Sequence, residues 1–467
     1  MASLQDPEGD EGALSEVGLW ERPEHDYTKG SLNHNIWLLA VPMALEMSMN
    51  SIFQIIDIFW VGKFGPAALA AVTISGTLRW SINSLAMGLG IGGMAVVARH
   101  IGEKDRPAAN HATLQTIIIS IVVSLALSLV GFLLAKPMLL LLGAGPEVVP
   151  LGLAFLRITF AGLLAIILMP TINSIFRGAG NATTAMWVLA FANGLNVLIE
   201  PFLIFGLGPL PALGVAGSAL STVLAYGAGL ALQFYILLKG RARVRIELDN
   251  LRLDPGLMWR IITIALPSTI QMTLRALSRV TLLGIIALYG TFAVAGYGIA
   301  NRILMVVLVP GFGLGNASAT LVGQNLGAHQ PKRAEKTAWL ISGYNMALMT
   351  AAAIFFLPLA NRIISIFNAN PGVVEYGGSC LKIVAVSYIF SALGIVMGRS
   401  LDGAGNTVPA MFINLFTLWV LQIPLAYLFS RFWGTTGIWV ALGVANVGNA
   451  LMMAFWFKRG RWKLRVV

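Results

Sequence analysis

Charge is what this sequence has least of: Asp, Glu, Lys and Arg together make up 11% of its 467 residues, less than half the share of an ordinary soluble domain. A single cysteine, Cys380, excludes a disulfide framework, and five histidines are too few for a structural zinc or iron–sulfur site. Redox chemistry is not expected. No nucleophile–base pair or metal-ligand spacing stands out, and the glycine run from Gly88 to Gly93 lacks the preceding strand that a dinucleotide loop needs. The residues therefore predict neither an enzyme nor a cofactor. What is abundant is apolar: 57% hydrophobic residues and a mean hydropathy of +0.79 point to an all-α integral membrane protein.

The formal net charge is +11, yet residues 1–30 hold eight acids against Arg22 and Lys29, which leaves +17 for the rest. A basic balance of this kind usually suggests nucleic acid. Here the cations sit in short segments between apolar runs, so a lipid bilayer is the expected partner and nucleic acid is not. Apolar stretches fall at about 36–62, 66–98, 112–143, 148–176, 184–206, 212–238, 259–289, 292–323, 334–366, 371–398, 405–430 and 434–457. About 20 helical residues cross the hydrocarbon core, and unpaired backbone cannot face lipid, so the sequence predicts twelve transmembrane helices. Nineteen Lys and Arg lie in segments on the side of the N-terminus, against Lys63, Lys136, Arg362 and Arg431 opposite. By the positive-inside rule both termini are expected in the cytoplasm, with a bacterial inner (plasma) membrane as the expected location. The expected divisions are an acidic, loosely ordered, uncleaved tail (1–35), a first lobe of helices 1–6 (36–238), an inter-lobe loop (239–258), a second lobe of helices 7–12 (259–457) and a basic tail (458–467).

An internal repeat runs through the chain at a constant offset of 225 residues. Pro42 matches Pro267, Gly65 matches Gly290, Gly88-Leu89-Gly90 matches Gly313-Leu314-Gly315, and Gly102 matches Gly327. Gly178-Ala179-Gly180-Asn181 matches Gly403-Ala404-Gly405-Asn406. Six spans separate equivalent points, so the repeat is parallel, with its axis along the membrane normal. Two such six-helix lobes around a central cavity are a transporter plan, one lobe rocking against the other.

Three acids fall inside predicted spans, all in the first half: Glu46, Asp57 and Glu200. Charge at membrane depth costs several kcal/mol unless paired or hydrated, which makes each a candidate functional residue. Glu46, Asn50, Phe53 and Asp57 share one helical face; Asn193, Asn196 and Glu200 form a second polar stripe; Ser218 and Thr222 offer hydroxyls one turn apart. Two neighbouring buried carboxylates do not both ionise cheaply, so Asp57 and Glu200 are expected to exchange a proton. The same oxygens, with Asn196 and Ser218, also suit Na⁺. None of the histidines is expected within a span, so a proton relay would be carboxylate-based. In the second half Arg275 and Arg279 lie one turn apart, expected either to neutralise Glu46 or to set the sign of the substrate. Trp80, Trp187, Trp439 and the methionines are candidates for an adaptable apolar pocket.

Ile55-Ile56-Asp57-Ile58-Phe59-Trp60-Val61-Gly62, the segment from Leu195-Asn196 through Glu200-Pro201 to Gly208, and the duplicated Gly-Ala-Gly-Asn resemble the multidrug and toxic compound extrusion (MATE) transporters. The resemblance covers about residues 36–457. It implies twelve helices in two lobes and export of amphipathic, mostly cationic drugs, toxins or metabolites in antiport with H⁺ or Na⁺, by a functional monomer. It places Asp57, Asn196, Glu200 and Ser218 as the coupling residues. Leu274–Arg279 and Ser387–Ser391 lack the acids that the NorM-like branch carries there, so the likeness is to the DinF-like branch. That branch usually has Asp where this chain has Glu200, and often an aromatic hydroxyl where Phe53 stands. Two alternatives are an exporter of zwitterionic or anionic metabolites and a flippase for a lipid-linked precursor, whose phosphate Arg275, Arg279 and Arg302 would hold.

Overall fold

A computed structural model describes residues 25–63, 65–206, 211–246 and 252–465. Most of the acidic tail (1–24) and part of the inter-lobe loop (247–251) therefore lie outside the described residues. The helices are α1 (Leu32–Gly62), α2 (Pro66–Glu103), α3 (Arg106–Leu141), α4 (Val148–Ala161), α5 (Leu163–Ala179), α6 (Ala182–Phe205), α7 (Val215–Leu238), α8 (Pro255–Ala287), α9 (Thr291–Gly327), α10 (Pro331–Phe367), α11 (Pro371–Gly403), α12 (Thr407–Leu415) and α13 (Ile423–Lys458). A π-helical stretch, Phe416–Gln422, joins the last two.

Twelve spans follow once two breaks are counted. α4 and α5 meet at a bend of 55° and make one crossing. From Thr407 to Lys458 the helix runs on for 52 residues, about 78 Å if straight and more than twice the hydrocarbon thickness. Gly434, at φ 58° and ψ −140°, divides that run. The conformation belongs to the region that side chains with a Cβ avoid, so the turn between the last two spans rests on a glycine. Large apolar side chains such as Leu129, Leu133, Ile354 and Phe432 are exposed on the outside of the bundle, where lipid supplies the apolar surroundings.

The helices outrun the predicted spans, several by a turn or more at the end that carries the termini. His34, His100 and His111, expected outside spans, accordingly fall in the terminal turns of α1, α2 and α3. The end of the acidic tail is also better ordered than expected. Tyr27 is buried and donates a hydrogen bond to the Gly180 carbonyl at 3.2 Å, while Asn35 bonds the Tyr27 and Lys29 carbonyls. Arg333 holds the Lys29 and Gly30 carbonyls, Arg99 holds that of Arg465, and Lys463 pairs with Glu335 at 2.6 Å. Both described termini and many basic residues thus share one end of the bundle.

The duplication is visible as matched contacts. Gly180 and Gly405, the second glycines of the repeated motif, adopt left-handed φ of 89° and 71°, the first as the cap of α5 and the second just beyond α11. The first glycines, Gly178 and Gly403, let backbone approach so closely that a Cβ would strike the carbonyls of Met94 and Ala319. Gly102 faces the backbone of Gln324, and Gly327 faces that of Arg99; Gly88 faces Thr269, and Gly313 faces Ala44. In every case the two partners are 225 residues apart as well. Around these contacts α2 and α9 seal the terminus-bearing half: Met94 through Ala98 and Gly313 through Gly327 are buried, whereas the opposite halves of both helices are partly exposed. Across the seam Thr320 donates to the Arg177 carbonyl at 3.0 Å and Gln324 to that of Gly178 at 2.9 Å.

Candidate functional site

Two cavities open on the unsealed side, one in each half of the chain. The first, of about 240 Å³, is lined by Asn50, Phe53 and Asp57 from α1, Asn193 and Asn196 from α6, Thr222 from α7, and Arg79 and Trp80 from α2, among others. Asn50, Phe53 and Asp57 reach one space because three- and four-residue steps return to one helical face. Asp57 is 8% exposed, and its Oδ1 accepts the Ser218 hydroxyl at 2.8 Å. Thr222 turns its own hydroxyl back to the Ser218 carbonyl at 3.1 Å.

Glu200 lies behind this wall, fully buried and close to Asp57 and Ser218. Neither of its carboxylate oxygens has a hydrogen-bond donor, and the Asn196 Oδ1 and Asn193 Nδ2 atoms are likewise without partners. The hydroxyl hydrogen of Ser218 is already committed to Asp57. Ionised carboxylates only accept hydrogen bonds, so a direct hydrogen bond between Asp57 and Glu200 requires a proton on one of them.

Glu46 does not belong to this cluster. Instead of Arg275 or Arg279 it takes Arg177, whose Nη1 donates to Glu46 Oε1 at 2.6 Å, with Asn173 Nδ2 at 3.4 Å. Arg177 also donates to Ser174 at 2.6 Å, and Gln233 reaches Asn173 at 2.8 Å, so α1, α5 and α7 share one buried polar chain. The positional match of Glu46 to the second lobe predicted the wrong partner, because the last turn of α5 runs inward beneath the sealed seam rather than out to a loop. Asp402, which sequence position puts at a span end, is similarly buried and faces Arg399 at 3.5 Å.

Arg79 escaped attention in the sequence, although a lone cation inside the apolar run 66–98 was its signal. Asn83 and Tyr226 complete the same cavity. Trp80 also lines it; Trp439 is fully buried, stacked on Tyr297 at 5.6 Å, and Trp187 is half exposed elsewhere. Lys63 sits over the rings of Phe59 and Trp60.

The second cavity, of about 160 Å³, holds Arg275 and Arg279 of α8. Arg275 donates to Asn414 Oδ1 at 3.0 Å. Arg302 does not line it.

The MatE family model matches twice, over residues 42–202 and 267–428, the two starts separated by the same 225 residues as the repeat. The chain belongs to the MatE family. As a MatE protein it is a multi-pass membrane transporter of small molecules and not an enzyme. It is 25% identical to the probable multidrug resistance protein YpnP of Bacillus subtilis (strain 168), over 94% of this chain and 98% of that one. It is 27% identical to an FAD transporter of Shewanella oneidensis, over 88% and 93%. A crystal structure of MATE in complex with MaL6 superposes with a TM-score of 0.88 at 24% identity, over 94% of this chain and 99% of that one.

Proposed function

We propose that this MatE transporter exports amphipathic small molecules in exchange for H⁺ or Na⁺ taken up at Asp57 and Glu200, with Asn196 and Ser218 completing the cation site. The supporting observation is the pair of adjacent carboxylates, one of them wholly buried with no donor on either oxygen. A proton shared between them, or a small hard cation also contacting Asn196 Oδ1, satisfies these acceptors at once. Coupling from the first lobe alone accords with the DinF-like pattern.

Both termini are proposed to face the cytoplasm, which makes the sealed end cytoplasmic and the described state open to the outside. In that state the cation enters, the charge of the cluster falls, and the substrate leaves. The lobes then rock about the α2–α9 seam, the cation departs inward, and the site regains charge. A monovalent cation moving through 100 mV releases about 2.3 kcal/mol. The cation drives the cycle only by binding the two states unequally. The test is efflux of a fluorescent dye panel from vesicles under an imposed pH or Na⁺ gradient. Asp57→Asn and Glu200→Gln are each expected to lower driven export roughly tenfold or more; equal export by wild type and both variants under either gradient contradicts the assignment.

A further inference from the structure

The two cavities are copies of one site. Of the twelve residues lining the first, eight have their 225-offset mates lining the second. The mates have exchanged charge: Asn50 corresponds to Arg275 and Asp57 to Leu282, while Gly76 and Ile166 correspond to Asn301 and Ser391. No Asp or Glu lines the second cavity. Arg275 and Arg279 stand at i and i+4, where like charges repel, and among the described residues neither makes an ion pair. Asp402, the acid whose charge reaches Arg275, is itself engaged with Arg399. Ser278, 1% exposed, has a hydroxyl with no partner in the wall of the same cavity. The remaining wall mixes apolar and aromatic side chains, Leu282, Phe312 and Tyr297 among them, with neutral amides and hydroxyls such as Asn301, Ser391, Asn446 and Asn449.

The geometry points to an organic anion as the occupant of the second cavity: an amphipathic molecule whose carboxylate or phosphate is held between Arg275 and Arg279 while its apolar part lies on Tyr297 and Phe312. This deepens the proposed function and rests on it only for the direction of transport. One duplicated site thus serves two opposite charges, a small cation in the first lobe and the acid group of the substrate in the second. A guanidinium presents five donors in a fork that fits either acid group, and the lone bond to Asn414 leaves most of those on Arg275 free.

Equilibrium binding to the full-length protein in nanodiscs, without any ion gradient, separates this inference from coupling. The probes are carboxyfluorescein for a carboxylate, 4-methylumbelliferyl phosphate for a phosphate, and rhodamine 6G as an aromatic cation. At least one anion is expected to bind more tightly than rhodamine 6G, and the one that does identifies the acid group. Its affinity is expected to fall roughly tenfold in Arg279→Gln, whose side chain borders open space, and further in Arg275→Gln/Arg279→Gln, with partial recovery in Arg275→Lys/Arg279→Lys. Tighter binding of rhodamine 6G, absence of binding by both anions, or anion affinity unchanged in both glutamine variants overturns the inference. Wild-type protein that binds the anion but exports nothing under either gradient instead faults the coupling assignment.

Discussion

At the scale of single residues, the molecule keeps its few buried charges in four separate settings. Asp57 and Glu200 stand together near Arg79, which among the described residues makes no ion pair with either; Glu46 is closed by Arg177, Asp402 by Arg399, and Arg275 with Arg279 has no acid paired to it. Removing one partner of a closed pair strands the other in the interior. Glu46→Gln is therefore expected to destabilise the protein by about 3 kcal/mol, read as a lower melting temperature in detergent. Replacing both, Glu46→Met with Arg177→Met, is expected to restore most of that loss; a double variant no more stable than Glu46→Gln would show that the pair is not the cause. These settings were only half legible in the sequence. Helical spacing was enough to bring Asn50, Phe53, Asp57, Asn193, Asn196 and Thr222 to one cavity. It did not find the partner of Glu46, because which turn of α5 points inward is decided by packing beneath the seam and not by periodicity.

At the scale of helices, glycines decide where elements end and how closely they approach. Gly434→Ala places a Cβ in a left-handed turn and is expected to cost about 1–2 kcal/mol. The seam is more consequential, since Gly102 and Gly327 bring α2 and α9 into backbone contact. Gly102→Leu is expected to hold the terminus-bearing end ajar. In a Cys380→Ala background, a cysteine substituted at Ser318, now fully buried, should then react with a membrane-impermeant thiol reagent added from that side. No gain in labelling would mean that the seam tolerates a side chain there. The constant offset marked both Gly-Ala-Gly-Asn motifs as equivalent, and each holds a left-handed glycine at its turn. Helix length was less legible: α1, α2, α3 and α9 run beyond their apolar stretches with polar turns, which hydropathy alone assigns to loops. The division at Gly434 and the bend between α4 and α5 follow boundaries that the apolar runs did mark in the first case and did not in the second.

At the scale of the whole molecule, a parallel duplication has produced two lobes of one plan with unlike interiors. In the proposed alternating cycle, closure at one end with two cavities open toward the other is one of two states. The opposite state must break the Thr320–Arg177 and Gln324–Gly178 hydrogen bonds. Spin labels placed across the seam are thus expected to separate when substrate is supplied and to return when the coupling cation is in excess; a distance distribution indifferent to both would argue against rocking. The plan itself was readable from the repeat, because equivalent residues make equivalent contacts. The divergence of the two cavities was readable only in part. Arg275 and Arg279 were conspicuous, whereas Arg79, Asn301 and Ser391 reach their cavities through tertiary placement.

The claim on which the rest depends is that Asp57 and Glu200 carry the exchanged cation. Its most direct measurement is the uptake of H⁺ or Na⁺ into vesicles coupled to substrate leaving them, compared between wild type and Asp57→Asn/Glu200→Gln. Cation entry stoichiometric with export in the wild type, and lost in the double variant while substrate binding persists, is the expected result. Undiminished cation-coupled export by the double variant would contradict it.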